Sequence, residues 1–178
     1  MKPGSILDGK YELKRRIGDG AMGVVWEGLN MRTEREVAVK LLVETGRDED
    51  RQRLLREARA GGRIRHPNVL DIYDVAETES GSPFIVMELL RGESLAHRLE
   101  RGPIALAQAL RILRDVARGL AAAHKVGVVH RDLKPHNVYL HNESDTTVPT
   151  VKLVEFGISR IDTEATLTLT GVMLGSAG

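Results

Sequence analysis

Eight consecutive residues, His130-Arg131-Asp132-Leu133-Lys134-Pro135-His136-Asn137, set a carboxylate, a cation and an amide at short fixed offsets. Phosphoryl transfer uses such a set: a carboxylate takes the proton of an attacking hydroxyl, a lysine neutralises charge on the moving group, and an amide oxygen ligates Mg²⁺. Asp132, Lys134 and Asn137 are the residues for those roles. Read alone, the octapeptide is also a polar turn around Pro135, so the rest of the chain must decide.

Two further stretches bear on the choice. Gly18-Asp19-Gly20-Ala21-Met22-Gly23-Val24-Val25 fits G-x-G-x-x-G-x-V between two strand-like runs. Glycines there let a hairpin backbone approach phosphates without a Cβ in the way. A dinucleotide-binding loop would lead from a strand into a helix; here a strand follows, and a plain glycine-rich hairpin is the alternative. Val37-Ala38-Val39-Lys40 places a lysine inside an apolar strand. An interior ammonium needs a counter-charge or an anionic ligand. Glu57 is the natural partner and phosphate the natural ligand. The alternative is an edge-strand lysine reaching water, with Glu57 paired to Arg53 one turn away.

The elements that must position these residues are legible from periodicity. Short apolar runs at 11–17, 23–29 and 36–43 read as strands, with a polar turn at 30–34. Residues 48–65 have helical spacing, with Leu54, Ala58 and Gly61 on one face, and His66-Pro67-Asn68 ends that helix. Residues 69–76 and 84–89 read as two more strands. After Gly92 the pattern turns helical: a short helix at 94–101, then a long one at 106–124 whose apolar stripe is Leu106, Leu110, Leu113, Ala117, Leu120 and His124. Short apolar runs follow at 126–129, 138–140 and 151–154. The tail from Asp162 is rich in Thr and Gly without periodicity.

Composition narrows the classes. The 178 residues suit one domain, and 42% apolar with 29% charged residues is a globular mixture. A net charge of +1 offers no general attraction to nucleic acid or to an anionic membrane. Without cysteine there are no disulfides and no thiolate metal sites. The N-terminus has no apolar signal segment and no run approaches a membrane span, so the chain is expected to be cytoplasmic and unanchored.

The Gly-rich loop, Val37-Ala38-Val39-Lys40, Glu57 ahead of His66-Pro67-Asn68, and residues 130–137 stand in the order and spacing of the eukaryotic-type (Hanks-type) serine/threonine protein kinases of bacteria, and the chain resembles that family throughout. Lys134-Pro135 after Asp132 resembles the Ser/Thr class rather than the Tyr class. The resemblance implies an α+β, two-lobe protein-kinase-like fold: a five-stranded antiparallel N-lobe sheet plus helix C over residues 1–90, and a helical C-lobe over 91–178. It implies ATP and Mg²⁺ as cofactors and serine or threonine hydroxyls of proteins as acceptors. Lys40 and Glu57 would join Asp132 and Lys134 in the catalytic set. Gly18, Gly20 and Gly23 would cover the phosphates, while Ile17, Val25, Ala38 and Tyr139 would sandwich the adenine. Met87 would be the gatekeeper, with the backbone of Glu88 and Leu90 bonding the adenine edge. Thr168 and Thr170 resemble paired activation-loop phosphorylation sites, where phosphate would pair with Arg131. Ser176 matches a hydroxyl residue that contacts the catalytic Asp and Lys. Homodimers through the N-lobe occur in the family.

Two departures accompany the match. The Asp-Phe-Gly motif of the family reads Glu155-Phe156-Gly157. Glu155 keeps the oxygen ligands for Mg²⁺ beside Asn137 but adds a methylene, and Mg²⁺ tolerates little error around its octahedron. The resemblance also stops inside the activation segment, so the C-lobe is expected to be incomplete. The stripe from Leu106 to His124 is then exposed, which points to poor solubility or a partner. A pseudokinase or an inactive fragment is the alternative to a working kinase.

Overall fold

The computed structural model describes residues 1–20, 23–42, 48–143 and 148–156. Six strands form the first sheet, in the order β1-β2-β3-β4-β6-β5: β1 Ile6–Leu7, β2 Tyr11–Gly20, β3 Gly23–Asn30, β4 Arg35–Leu42, β5 Ile72–Glu77 and β6 Pro83–Met87. All neighbours are antiparallel. Five of the strands match the expected sheet. The sixth, β1, is two residues long, too short for alternation to reveal it. The β3–β4 turn closes on Asn30, whose Oδ1 accepts from the amides of Arg32 and Thr33.

Successive strand residues face opposite sides of a sheet. In β4, Val37, Val39 and Leu41 enter a core with Leu13, Trp26, Phe84 and Val86. Ala38 and Lys40 therefore take the other face, with Ile85 and Met87 of β6. On that side lies helix α1, Asp48–Gly61, with Ala58 buried against Ile85. The helix ends at Gly61-Gly62, earlier than the expected Arg65, because consecutive glycines favour leaving the helix.

The chain then enters a loop where a strand was expected. Val69 forms an isolated parallel bridge with Leu153, and β5 begins only at Ile72. Asn68 Nδ2 donates to the Val151 carbonyl at 2.9 Å, the Leu153 amide donates to the Asn68 carbonyl at 2.9 Å, and the Leu70 amide donates to the Leu153 carbonyl at 3.0 Å. Residues 68–70 are thus stitched to the second half of the chain, and Ile64 and Val69 are buried in its core.

That half holds helices α2 Leu95–Glu100 and α3 Leu106–Lys125, a 3-10 turn at Pro135–Asn137, and a three-stranded sheet of β7 Gly92–Ser94, β8 Val138–His141 and β9 Thr150–Leu153. Helix α3 buries Ile112, Val116, Gly119 and Ala123. Its packing face is therefore offset from the leucine stripe, and Leu106, Leu110 and Leu113 are exposed, as expected. A Cβ at Gly119 would come within 2.8 Å of both the Asn68 carbonyl oxygen and Leu153 Cδ1, so only glycine permits this approach.

Candidate active site

A cavity of about 280 Å³ opens between the first sheet and β9, at the small end of the usual range for ligand sites. Ile17 and Gly18 of β2, Val25 of β3, Ala38 and Lys40 of β4, Met87, Glu88, Leu90 and Tyr139 line it. A register shift between Arg16 and Gly18 leaves Ile17 out of the β2–β3 pairing, which lets its side chain turn onto the cavity wall. Tyr139 is held by a hydroxyl bond to the Gly92 carbonyl at 2.8 Å. Gly20 and Gly23 pair with each other at the end of the hairpin, and Gly23 does not line the cavity.

Lys40 sits at 8% exposure. Its strand has β3 on one side and β6 on the other, so the edge-strand reading fails. Its Nζ lies 3.5 Å from Glu155 Oε1. The Glu57 side chain, Thr168, Thr170 and Ser176 lie outside the described residues. Glu155 and Arg131 both adopt positive φ, 54° and 59°, a sparsely populated region for such residues and one that recurs at functional sites.

Asp132, Lys134 and Asn137 converge next to the cavity. Lys134 Nζ donates to Asp132 Oδ2 at 2.7 Å. The buried Asn137 spends its amide nitrogen on Asp132, 2.9 Å from the carbonyl and 3.1 Å from Oδ2. Its side-chain oxygen remains available as a ligand. The Val154 amide donates to the Asn137 carbonyl at 3.0 Å, which brings Asn137 beside the segment carrying Glu155. An amide oxygen and a carboxylate make a hard donor pair that fits Mg²⁺. The hydrogen bond from Lys134 is the main reason that the Asp132 carboxyl titrates below the ordinary aspartate range, with the lysine charge adding to it. His130 is buried against the Phe156 ring, its Nε2 3.1 Å from the Val154 carbonyl. Burial pushes its pKa down, and a carbonyl partner can only accept, so the bond to Val154 calls for a hydrogen on Nε2.

Sequence reasoning missed the back of the cavity: Gly61, Leu70, Ile72, Ile85, Leu153 and Phe156. The alternation that assigns Ala38 to this face would have assigned Ile85 as well. Leu70 and Leu153 meet only because the 68–70 loop pairs with β9, which no local pattern reveals.

The protein kinase domain family model matches residues 11–173. Serine/threonine-protein kinase PknL of Mycobacterium tuberculosis is 38% identical over 176 residues, 97% of this chain and 43% of PknL. PknA of the same organism is 38% identical over 181 residues, 98% of this chain and 41% of PknA. The chain therefore spans less than half the length of these relatives. The crystal structure of the M. tuberculosis PknI kinase domain superposes with a TM-score of 0.72 at 31% identity, over 89% of this chain and 64% of that one. With the motifs, the two-sheet architecture and the cavity in agreement, the chain belongs to the protein kinase domain family, in its bacterial serine/threonine branch.

Proposed function

We propose that this chain carries the ATP-binding and catalytic part of a serine/threonine protein kinase. The observation that carries the reading is the adjacency of an apolar slot, a buried lysine on its wall and a carboxylate–lysine–amide cluster beside it. The slot takes the adenine between Ile17, Val25, Ala38 and Tyr139, with the backbone at Glu88 and Leu90 on its edge. Lys40 supplies a cation for the phosphates, and Gly18, Gly20 and Gly23 let the hairpin backbone close over them. Asp132, held ionised by Lys134, accepts the proton of a serine or threonine hydroxyl as its oxygen bonds to the γ-phosphorus. The bond from that phosphorus to the bridging oxygen breaks and ADP leaves, while Lys134 offsets charge on the transferring group. Asn137 and Glu155 would hold Mg²⁺, which supplies charge neutralisation at the phosphates.

Kinase domains use ATP and Mg²⁺ as a family, and their substrates are proteins. Among the described residues no helix is long and apolar enough to cross a membrane, and the proposal sets the reaction in the cytoplasm, where ATP is made. Pairing of two copies through the first sheet belongs to the same reading. Residues 1–90 and 91–178 act as its two lobes.

A second reading is favoured by one residue: Glu155, longer than the family's Asp and paired to Lys40. On it, the chain binds nucleotide without transferring phosphate. Radiolabelled ATP with Mg²⁺ and a generic protein acceptor separates the two. Label on serine or threonine, Thr168 and Thr170 included, is expected. Nucleotide binding with no label, in the parent chain and in Glu155→Asp alike, would overturn the kinase reading.

A further inference from the structure

The ion pair most shielded from solvent among the described residues joins Glu88, so far used only through its backbone, to Lys152, which has had no role. Lys152 of β9, 6% exposed, donates from Nζ to Glu88 Oε2 at 2.8 Å. The same oxygen accepts from the Asp71 amide at 3.3 Å, and the Glu88 amide donates to the Asp71 carbonyl at 2.9 Å. Glu88 is thus fixed through its backbone to the start of the β5 segment and through its side chain to β9. Lys152 is the cross-strand partner of Tyr139, so it shares the sheet face that turns toward residues 88–90. Glu88, Leu90 and Tyr139 line the cavity, whereas Lys152 does not.

Such a pair is poorly explained as adhesive. Desolvating an ammonium and a carboxylate costs about what their attraction returns, and well-packed apolar residues often hold as well. What an ion pair adds is registry, because the charges tolerate only one arrangement. Here the register being set is that of residues 88–90 against β9. Three residues beyond Lys152 stands Glu155, next to Lys40.

We infer that Lys152 and Glu88 are positioning residues for the nucleotide: their buried pair locks the 88–90 backbone to β9, so that the base-reading edge and the Glu155 segment sit in one frame. This rests on the nucleotide-binding reading above. Neither side chain need touch the reacting atoms.

The test uses the full chain with Lys152→Met, Glu88→Gln, the double variant and Lys152→Arg. Each single variant is expected to weaken binding of a fluorescent ADP analogue about tenfold, an ordinary coupling between two sites. The double variant should bind no worse than either single one, and Lys152→Arg should recover most of the affinity. In parallel, hydrogen–deuterium exchange at residues 88–90 without nucleotide should speed up in Lys152→Met and Glu88→Gln and slow again in Lys152→Arg. Variants that lower the unfolding midpoint but leave analogue affinity and exchange at residues 88–90 unchanged would overturn the proposal and leave the pair a merely structural role. If the parent chain does not bind the analogue, the nucleotide reading fails, and the exchange rates alone decide the positioning claim.

Discussion

The two ends of the cleft are built differently. At the end that the proposed function gives to the base, the walls are apolar, and Glu88 of the wall meets Lys152 behind it at 2.8 Å, both largely shielded. At the end proposed for the phosphates most of the charges are more open to solvent. Lys40 and Glu155 stand 3.5 Å apart with the Glu155 side chain 60% exposed, and both Asp132 and Lys134 are about half exposed. Shielded, hydrogen-bonded groups hold their geometry without a ligand; exposed ion pairs contribute little and rearrange easily. On the proposed reading, the fold itself shapes the base end, and the more exposed phosphate end takes its final arrangement with the ligand.

That contrast can be broken or sharpened. The largest effect is expected from Asp132→Asn, which removes the proton acceptor but leaves the slot intact. Phosphoryl transfer should fall by about 10²–10⁴-fold, the usual contribution of general acid–base catalysis, while nucleotide affinity stays unchanged. A parallel loss of binding in a calorimetric titration would show that the two ends are not separable. Next comes Glu155→Asp, which restores the shorter ligand. A misplacement near ~1 Å costs about 10²-fold, so Mg²⁺-dependent transfer should rise by up to that factor. An unchanged rate would mean that Glu155 already reaches its place.

Gly119→Val strikes the support of the base end from behind, through Leu153 of the cavity wall. The new side chain would press on the Asn68 carbonyl and Leu153, and overpacking of this kind costs about 1–3 kcal/mol. Chemical denaturation should report that loss. Stability equal to the parent would show that the seam between α3 and residues 68–70 can open freely. The smallest effect is on pH dependence. The Asp132 pKa is depressed by Lys134, so the working, ionised form persists to lower pH than a free aspartate allows. The acid limb of kcat/KM should lie below the ordinary aspartate range and move up in Lys134→Met. An acid limb that stays in place would mean that Asp132 is not the group being titrated.

What the sequence made legible follows the same divide between local and distant causes. Alternation in Val37-Ala38-Val39-Lys40 suffices to place Lys40 on the cavity face, because a strand's two faces are set by neighbours in sequence. The cluster at 130–137 is legible because its partners are a few residues apart. Glu88 and Lys152 are 64 residues apart, yet a signal was present: Val151-Lys152-Leu153 is a lysine inside an apolar strand, the same pattern that marked Lys40. Leu70 and Val69 looked like the start of a strand because they are apolar. Their pairing with Leu153 draws them away from β5, a tertiary effect that local pattern does not carry. Helix α3 shows two apolar stripes. One packs through Ile112, Val116 and Ala123, whereas of the leucine stripe only Leu120 reaches the core and Leu106, Leu110 and Leu113 stay exposed, a distinction that required knowing where β9 lies.

The central claim is that the fold builds the base end and that ligand and metal complete the phosphate end. Thermal unfolding of the purified chain tests it most directly, titrated with adenosine and with ATP, each in Mg²⁺ and in EDTA. A ligand that binds only the native state raises the midpoint by mass action. Adenosine should raise it equally in Mg²⁺ and EDTA, and ATP should raise it further only when Mg²⁺ is present. No shift with adenosine in either buffer, alongside a shift with Mg²⁺-ATP, would contradict the account by showing that the base end too is assembled by the ligand.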